Sequence, residues 1–460
     1  MPADSLDTLF DQQRDAHTDD LLEWLRIPSV SSDPESTDSV RAAGQWVAEQ
    51  FREAGLQTEV IPTKGHPLIF AETPPVPGAP VALVYGHYDV QPAEPLELWD
   101  SPPFEPTIRE GNIYARGATD DKGQVLTHVQ SVLSLLRAGQ SLPLQVKFMI
   151  EGEEEVGSAN LERMLPDLAE KLACDVVVIS DSSQFADGQP AITYGLRGIA
   201  TYDLRVDGPR QDLHSGSFGG AVMNPGIALC KLLSALVDDQ GHIQIPGFYD
   251  DVLPLTDVER EEFAALPYSD TEFAKAMGVD ALFGEAGYTS LERRWARPTF
   301  DINGLTCGHQ GEGVKTIVPA RASAKISFRL VPNQDPQKVT RGLEQFLQSH
   351  CPPGVRITLT PDHGAPGMRA NLESPYVSAA KQALAAAFGT EPVLIREGGS
   401  IPIVQKFQET LKADCLLLGW GLSDDNAHSP NEKFRLADYH RGIKASARLW
   451  HELGRLGTSV

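Results

Sequence analysis

The chain has 460 residues, of which 41% are hydrophobic and 22% charged, so it can build cores for two domains of unequal size. Its 39 basic and 63 acidic residues give a formal net charge of −24, which argues against nucleic acid as the main partner. The five cysteines are scattered without a Cys-x-x-Cys pair, and no apolar run approaches the roughly 20 residues of a membrane span. We therefore expect a cytoplasmic protein that contacts neither nucleic acid nor membrane.

Helical and strand patterns alternate in the first part of the chain. Val40, Ala43, Val47 and Phe51 have helical spacing, and the alternating run LQTEVI follows them. Apolar runs at 81–86, 144–150 and 174–180 have the composition of strands buried on both faces, and helical patterns separate them. This order predicts a doubly wound α/β sheet.

The pattern changes near residue 200. ATYDLRV, ASAKISFRLV and VRITLT are typical of strands, and the helical runs NPGIALCKLLSALV and DPQKVTRGLEQFLQSH lie before and after the second of them. This predicts an α+β unit of split βαβ type. We interpret the acidic, proline-rich stretch 240–300 as an insertion without an assigned fold.

The first pattern returns near residue 370, with a helix in SPYVSAAKQALAAAFG and strands in PVLIRE and ADCLLLGWG. We therefore predict one domain made of residues 1–199 and 371–460. A second domain, residues 200–370, is inserted into it.

Metal-type side chains follow four of the predicted buried strands. The strands lead to His87, to the acidic run EGEEEVGS, to Asp181 and to His428. Ligands of open α/β sheets bind beyond the carboxyl ends of the strands. Imidazole and carboxylate without thiolate suit zinc, manganese or cobalt, and several carboxylates can hold two ions that activate a water for attack on a carbonyl.

Each of these residues also has a structural interpretation. A histidine at a strand end is commonly part of the core, an acidic run commonly faces solvent, and Asp120 and Asp121 could cap a helix. The coincidence of four strand ends favours the metal site. A G-x-S-x-G elbow is missing from the sequence, which disfavours a serine hydrolase.

With these residues in place, the chain resembles the M20 family of metallopeptidases, in its branch of cytosolic non-specific dipeptidases and carnosinases. The resemblance covers nearly the whole length and rests on the motifs YGHYDVQPAE, WDSPPFEPTIREGNIYARGATDDKG, EGEEEVGS, SDSSQF, YGLRG, DLHSGSFGG, FRLVPN, REGGSIP and NAHSPNEK. It implies that His87, Asp120 and Asp181 bind one ion. Asp120, Glu155 and His428 would bind the other, with Asp120 as the bridge.

The resemblance also implies roles for acidic residues beside the ligands. Glu154 would be the general base and Asp89 the carboxylate that orients His87. Three consecutive glutamates leave the register open by one residue. Counting back from VGS assigns the base and the ligand to Glu154 and Glu155, and leaves Glu153 without a role.

The resemblance implies that the inserted domain is a lid and that it forms the interface of a homodimer. His214 would stabilise the oxyanion in the partner's active site. Arg329, Ser400 and Thr316 would bind the terminal carboxylate of the substrate. Arg197 is interpreted as structural.

The sequence thus predicts a hydrolase with two divalent ions per subunit that cleaves the amide bond of dipeptides or short peptides. Zinc is the expected ion, with manganese or cobalt as alternatives. An N-acyl amino acid deacylase of the acetylornithine or succinyl-diaminopimelate type is the nearest rival. A non-catalytic metal-binding homologue is a rival of another class.

Overall fold

The computed structural model describes residues 3–399 and 401–457, and the chain divides into two compact units. The first unit contains the chain up to Tyr194, Ala370–Ile395 and the chain from Ile403 on. The second contains Gly195–Arg369 and Arg396–Pro402. These bounds lie close to the predicted boundaries at 199/200 and 370/371, but they assign 396–402 to the second unit.

Helices and strands alternate along much of the chain. In chain order, the helices are α1 (Ala3–Gln12), α2 (Arg14–Leu25), α3 (Thr37–Glu53), α4 (Lys122–Arg137), α5 (Ala159–Leu172), α6 (Ser215–Phe218), α7 (Pro225–Ala235), α8 (Asp257–Ala265), α9 (Asp270–Ala276), α10 (Ser290–Ala296), α11 (Pro336–His350), α12 (Pro375–Phe388), α13 (Pro402–Leu411) and α14 (Leu436–Gly454). The strands are β1 (Gln57–Ile61), β2 (Leu68–Glu72), β3 (Val81–His87), β4 (Thr107–Arg109), β5 (Asn112–Tyr114), β6 (Gln145–Glu151), β7 (Val176–Ile179), β8 (Ala191–Leu196), β9 (Gly198–Asp207), β10 (Leu213–His214), β11 (Thr299–Cys307), β12 (Ile317–Val318), β13 (Arg321–Leu330), β14 (Arg356–Ala365), β15 (Met368–Arg369), β16 (Val393–Glu397), β17 (Asp414–Leu418) and β18 (Lys433–Arg435).

The first unit is built on a mixed sheet with the strand order β1-β2-β6-β3-β7-β17-β8. The four central strands β6, β3, β7 and β17 are parallel to their neighbours within this group. β1, β2 and β8 pair antiparallel at the two sides. The α/β class is confirmed. The antiparallel β1–β2 hairpin follows from its short connection, since a parallel pair needs a crossover of a dozen or more residues.

Both faces of this sheet are covered, which explains the continuous apolar runs. Val84 of β3 shares a core with Val125 of α4 and Trp450 of α14 on one face. On the other face, the ring of Tyr85 lies 5.2 Å from that of Phe407 in α13. A strand buried on both sides has no polar face, so its apolar residues do not alternate with polar ones.

The second unit contains the antiparallel sheet β11-β13-β9-β14. α7 and α11 share one core with this sheet, which includes Leu204, Leu229, Phe328 and Phe346. The α+β prediction is confirmed. The stretch 240–300 contains α8 and α10, and each begins with a capping box, at Thr256 and Thr289.

Among the described residues, the helices include none with the length and apolar character needed to cross a lipid bilayer.

Candidate active site

The predicted ligands lie at one edge of the first unit's sheet. His87 is the last residue of β3, Glu155 follows β6, and Asp181 follows β7. Because β3, β6, β7 and β17 are parallel, their carboxyl ends share one edge. His428 reaches the same place from the loop after β17. Two groups have ligand atoms within 4.8 Å of one another: His87, Asp120 and Asp181, and Asp120, Glu155 and His428.

Asp120 belongs to both groups and lies between the two histidines. Its Oδ1 atom is 3.3 Å from Nε2 of His87, and its Oδ2 atom is 2.9 Å from Nε2 of His428. Oε2 of Glu155 lies 3.4 Å from the same nitrogen of His428. Each carboxylate oxygen of Asp120 therefore faces a different imidazole, as a carboxylate shared by two ions requires.

The tautomer of His87 is set by its main-chain neighbour. Nδ1 of His87 lies 3.0 Å from the carbonyl oxygen of Asp89, and Oδ1 of Asp89 lies at 3.3 Å. A carbonyl oxygen can only accept, so Nδ1 carries the proton and Nε2 of the neutral ring has a free lone pair. Nε2 is buried and has no hydrogen-bond partner among the described residues, although Asp120 is close. A cation would satisfy it.

Asp89 also holds the acidic segment in place. Its Oδ1 and Oδ2 atoms accept hydrogen bonds from the main-chain amides of Glu154 and Glu155, at 3.3 and 3.1 Å. Asp89 follows β3 instead of extending it, and its carbonyl oxygen lies slightly nearer to Nδ1 of His87 than its carboxylate does. The carboxylate therefore joins His87 to the segment that contains Glu155.

The three consecutive glutamates point in different directions. Oε2 of Glu153 accepts a hydrogen bond of 2.6 Å from Asn160 in α5. Glu155 lies in the candidate ligand group, where Gln91 donates to its Oε2 atom at 2.8 Å. Glu155, and not Glu153, therefore lies beside His428.

Glu432 is a buried residue of this site for which the sequence suggested no role. One oxygen accepts hydrogen bonds from the main-chain amides of Thr119 and Asp120, at 2.9 and 3.1 Å. The other accepts from the amide of Gly117 at 3.0 Å and from Arg116 at 2.7 Å. The loop that carries Asp120 is thus bound to one carboxylate. Glu432 lies in the motif NAHSPNEK, but its position there says nothing about its distant partners.

Asp121 is a second residue without an assigned role, and it fixes β3 against α4. Its Oδ2 atom accepts a hydrogen bond of 3.3 Å from the main-chain amide of His87. Gly86 makes this approach feasible, since a Cβ atom there would lie 2.6 Å from the same oxygen. Close packing of strand and helix brings Asp120 to His87.

The ionisable groups of the cluster change one another's pKa values. Burial acts to raise the pKa of Asp120, but the hydrogen bond from His428 and the proximity of His87 hold it below its usual value. Hydrogen bonds to Asp120 and Glu155 raise the pKa of His428 to about 10. Burial and the neighbouring carboxylates raise the pKa of Glu154. The protein thus binds protons where carboxylates crowd together, and divalent cations can replace such protons.

The chemistry of these side chains fits divalent metal ions. The donors are imidazole nitrogens and carboxylate oxygens, Asp120 directs one carboxylate oxygen at His87 and the other at His428, and the lone pair of His87 has no protein donor. Such a set suits zinc, manganese or cobalt and not a soft, thiolate-bound ion.

His214 and Thr316 are neighbours in the second unit. β10 pairs with β12, so that His214 lies opposite Ile317, and the amide of Ser215 donates to the carbonyl of Thr316 at 3.1 Å. Nδ1 of His214 accepts a hydrogen bond of 3.0 Å from the amide of Gly216. In the neutral ring the proton is therefore on Nε2, and this exposed side chain presents a donor.

Arg329 also lies in the second unit, near the end of β13. It pairs with Thr299 on β11 and with Ile199 on β9. Burial lowers its pKa, although Asp301 acts in the opposite direction. Ser400, the remaining predicted substrate ligand, lies outside the described residues.

Comparisons with known proteins identify the family of this chain. Residues 83–452 match the family model described as "Peptidase family M20/M25/M40". The chain is 32% identical to the Cys-Gly metallodipeptidase dug1 of Schizosaccharomyces pombe over 98% of both chains. It is 34% identical to the Beta-Ala-His dipeptidase of Homo sapiens, over 97% of this chain and 92% of that protein. The crystal structure of the M20 family metallo-carboxypeptidase Sso-CP2 from Sulfolobus solfataricus superposes with a TM-score of 0.86 at 35% identity, over 95% of this chain and 99% of that one. The chain therefore belongs to the peptidase family M20/M25/M40, as its motifs predict.

Proposed function

We propose that this metallopeptidase is a dipeptidase that uses two divalent ions per subunit. The observation that supports this most strongly is the position of Asp120 between His87 and His428, with one carboxylate oxygen toward each. The dipeptidase relatives support the substrate class, since they align over nearly the whole chain.

Asp120 would be shared by both ions. His87 and Asp181 would complete one site, and Glu155 and His428 the other. When bound, the ions would position and activate a water and polarise the scissile carbonyl. Zinc is the ion we expect, with manganese or cobalt as alternatives, because all three ions bind imidazole and carboxylate donors and need no thiolate.

Glu154 would accept the proton of the attacking water and deliver it to the leaving amine. The bond from its amide to Asp89 fixes its main chain. Burial raises the pKa of its carboxyl group, and bound cations would act in the opposite direction. A base whose pKa is set by these two opposing effects can both accept and return a proton near neutral pH.

His214, Arg329, Thr316 and Ser400 are proposed as substrate residues on the basis of their motifs. The Nε2–H group of His214 would donate a hydrogen bond to the developing oxyanion. The guanidinium of Arg329 would form a two-point contact with the terminal carboxylate, and a hydroxyl group of Thr316 or Ser400 would assist it.

A reducing, cytoplasmic location fits the five cysteines, all of which are free thiols.

A homodimer through the second unit is part of the proposal. β11 is an edge strand of its sheet, and Ile302 and Leu305 on it are about half exposed. Long edge strands with exposed apolar residues are commonly covered by another chain. In the dimer, His214 would act in the partner's active site.

The test of the proposed activity combines metal analysis with kinetics. We expect two ions per chain and hydrolysis of unmodified dipeptides in the presence of zinc, manganese or cobalt. Glu154→Gln should retain both ions and lose about 10²–10⁴-fold in kcat. Full activity of Glu154→Gln would refute its role as the base.

The rival deacylase activity is tested with the same preparation. Dipeptides and N-acetyl or N-succinyl amino acids are compared by kcat/KM. Hydrolysis of the acylated substrates alone would overturn the dipeptidase proposal. Two bound ions without hydrolysis of either class would favour a non-catalytic metal-binding protein.

The dimer proposal is tested by mixing two inactive variants. Glu154→Gln lacks the base and His214→Asn lacks the oxyanion donor. If His214 acts in the partner's site, a mixed dimer contains one intact combination, and activity should reappear on subunit exchange. Mixed dimers that form without activity would place His214 in the site of its own chain.

A further inference from the structure

His428 is the most exposed member of the two candidate ligand groups, and its main chain is strained. Its side chain is 57% exposed, and its φ of 62° lies in the left-handed region, which residues other than glycine rarely adopt. Asn426, two residues earlier, also has a positive φ, of 57°. Such a conformation persists only where the surrounding contacts impose it. The turn that carries His428 must therefore be fixed by contacts with the rest of the first unit.

Asp425 is a buried carboxylate that anchors this turn. It is 2% exposed. Its Oδ2 atom accepts a hydrogen bond of 2.7 Å from the main-chain amide of Leu422, and Nζ of Lys433 donates to its Oδ1 atom at 2.8 Å. The amide of Lys433 also donates to the carbonyl of Asp425, at 2.9 Å. Because Leu422 precedes His428 and Lys433 follows it, Asp425 holds the chain on both sides of the histidine.

The same carboxylate contacts the loop that carries the shared ligand Asp120. The hydroxyl of Thr119 donates to Oδ2 of Asp425 at 3.2 Å. Thr119 is 5% exposed and directly precedes Asp120. A Cβ atom at Gly421 would lie 2.6 Å from this hydroxyl, so the two segments are closely packed there. One contact between side chains thus connects the loops of two candidate ligands, Asp120 and His428.

Gln124 makes a second connection between the same two segments. It lies near the start of α4 and is 3% exposed. Its Oε1 atom accepts hydrogen bonds from the amides of Trp420 and Gly421, at 2.7 and 3.2 Å, and its Nε2 atom donates to the carbonyl of Thr119 at 2.9 Å. Gln124 would therefore keep the end of β17 beside the main chain of Thr119 when the hydroxyl of Thr119 is removed.

We propose that Asp425 is a positioning residue of the metal site and that it acts through the hydroxyl of Thr119. The inference rests on the proposed function, in which Asp120, Glu155 and His428 bind one of the two ions. The contact would keep Nε2 of His428 close to Oδ2 of Asp120, from which it is 2.9 Å away. Without the contact, the strained turn would relax, and this ion would bind less tightly.

The effect should fall mainly on one ion. His87 and Asp181, the remaining ligands of the other ion, lie at the carboxyl ends of β3 and β7 and belong to neither of the connected segments. Asp120 contributes to both ions, but its amide remains bound to Glu432. A change at Asp425 should therefore weaken the binding of one ion more than that of the other.

Three variants separate the contact from the general stability of the chain. Thr119→Val removes the hydroxyl and keeps the shape of the side chain. Thr127→Val is the matched control, because Thr127 is also buried and its hydroxyl donates to the carbonyl of Gln124 within α4, at 2.7 Å. Asp425→Ala removes the carboxylate with all of its contacts.

The affinity for zinc is measured in each variant by competition with a chromophoric chelator. Thr119→Val should weaken the binding of one ion about tenfold and Asp425→Ala about 10–100-fold, with the other ion changed by less than about threefold. Thr127→Val should leave both affinities unchanged. Unchanged affinities in Thr119→Val, or an equal loss of affinity for both ions, would overturn the proposal.

Amide hydrogen exchange of the peptide 422–429 in metal-free protein supplies a readout that depends neither on turnover nor on an ion. Exchange should be faster in Thr119→Val and unchanged in Thr127→Val, and equal exchange in both would refute the positioning role. If the unaltered chain binds no zinc, the proposed function fails, and this measurement still decides whether the contact holds the turn.

The double variant Thr119→Val/Asp425→Ala tests the route of the effect. If the hydroxyl acts through the carboxylate, the double variant should bind zinc no more weakly than Asp425→Ala alone. Losses that multiply would show that Thr119 and Asp425 act independently and would overturn the proposed connection.

Discussion

The side chains of His87 in the first unit and His214 in the second have the proton on different ring nitrogens. The Nδ1 atom of His87 donates to a carbonyl, which leaves a lone pair on Nε2, and this atom is buried among carboxylates. The Nδ1 atom of His214 accepts from a main-chain amide, which leaves a proton on an exposed Nε2. A single main-chain contact thus leaves one ring with a lone pair that a metal ion could use and the other with a proton that it can donate in a hydrogen bond.

The largest effect is expected when the buried histidine is changed. His87→Asn removes the only imidazole of its ligand group. We expect loss of one ion and a fall in kcat/KM of more than about 10³-fold, beyond the effect of one oxyanion donor. Metal analysis by mass spectrometry together with steady-state kinetics checks this. Two tightly bound ions in the variant would contradict the assignment of His87.

The same substitution in the second unit should act on turnover alone. His214→Asn should retain both ions, because the ring offers no lone pair from Nε2 in its neutral form. We expect kcat to fall about 10²–10³-fold, the usual effect of losing one oxyanion donor. Loss of an ion from this variant would contradict the proposal that His87 binds a metal ion and His214 does not.

A smaller effect is expected for the carboxylate behind His87. Asp89→Asn keeps the carbonyl that binds Nδ1 but leaves one acceptor oxygen in place of the two that hold Glu154 and Glu155. We expect metal affinity to weaken about 10–100-fold, as for other supporting groups. Competition with a chromophoric chelator measures this, and unchanged affinity would show that Asp89 serves structure only.

The smallest effect concerns a histidine with both nitrogens satisfied by protein. His128 is fully buried between the hydroxyls of Ser180, at 2.7 Å, and Ser446, at 2.9 Å, and burial lowers its pKa to about 3. Protonation below the unfolded-state pKa of 6.5 favours the unfolded chain, so stability is complete above pH 6.5 and falls as the pH decreases toward 3.

From pH 7 to pH 5 this group should cost about 2 kcal/mol in the free energy of unfolding. Denaturant unfolding of chelator-treated protein measures the cost. His128→Gln should be less stable at pH 7 but should show a shallower loss on acidification than the unaltered chain. Parallel pH profiles would indicate that the pKa of His128 is the same in the folded and the unfolded protein.

The sequence alone determined the order of the elements and the chemistry of the ligands. Buried strands lack alternation, so runs such as 81–86 were recognisable, and the polar residues after them followed from the rule that parallel strands end at one edge. The antiparallel edges of the sheet and the helices of 240–300 were not predicted, because weakly periodic segments depend on the surfaces they pack against.

Only the tertiary structure decided which atoms meet. It separates Glu153 from Glu155 by giving Glu153 to Asn160, and it sets the tautomers of His87 and His214 through main-chain contacts. It also shows Glu432 and Asp425 as buried carboxylates that anchor distant segments. Such roles depend on partners far away in the chain, and a local pattern of residue types contains no information about them.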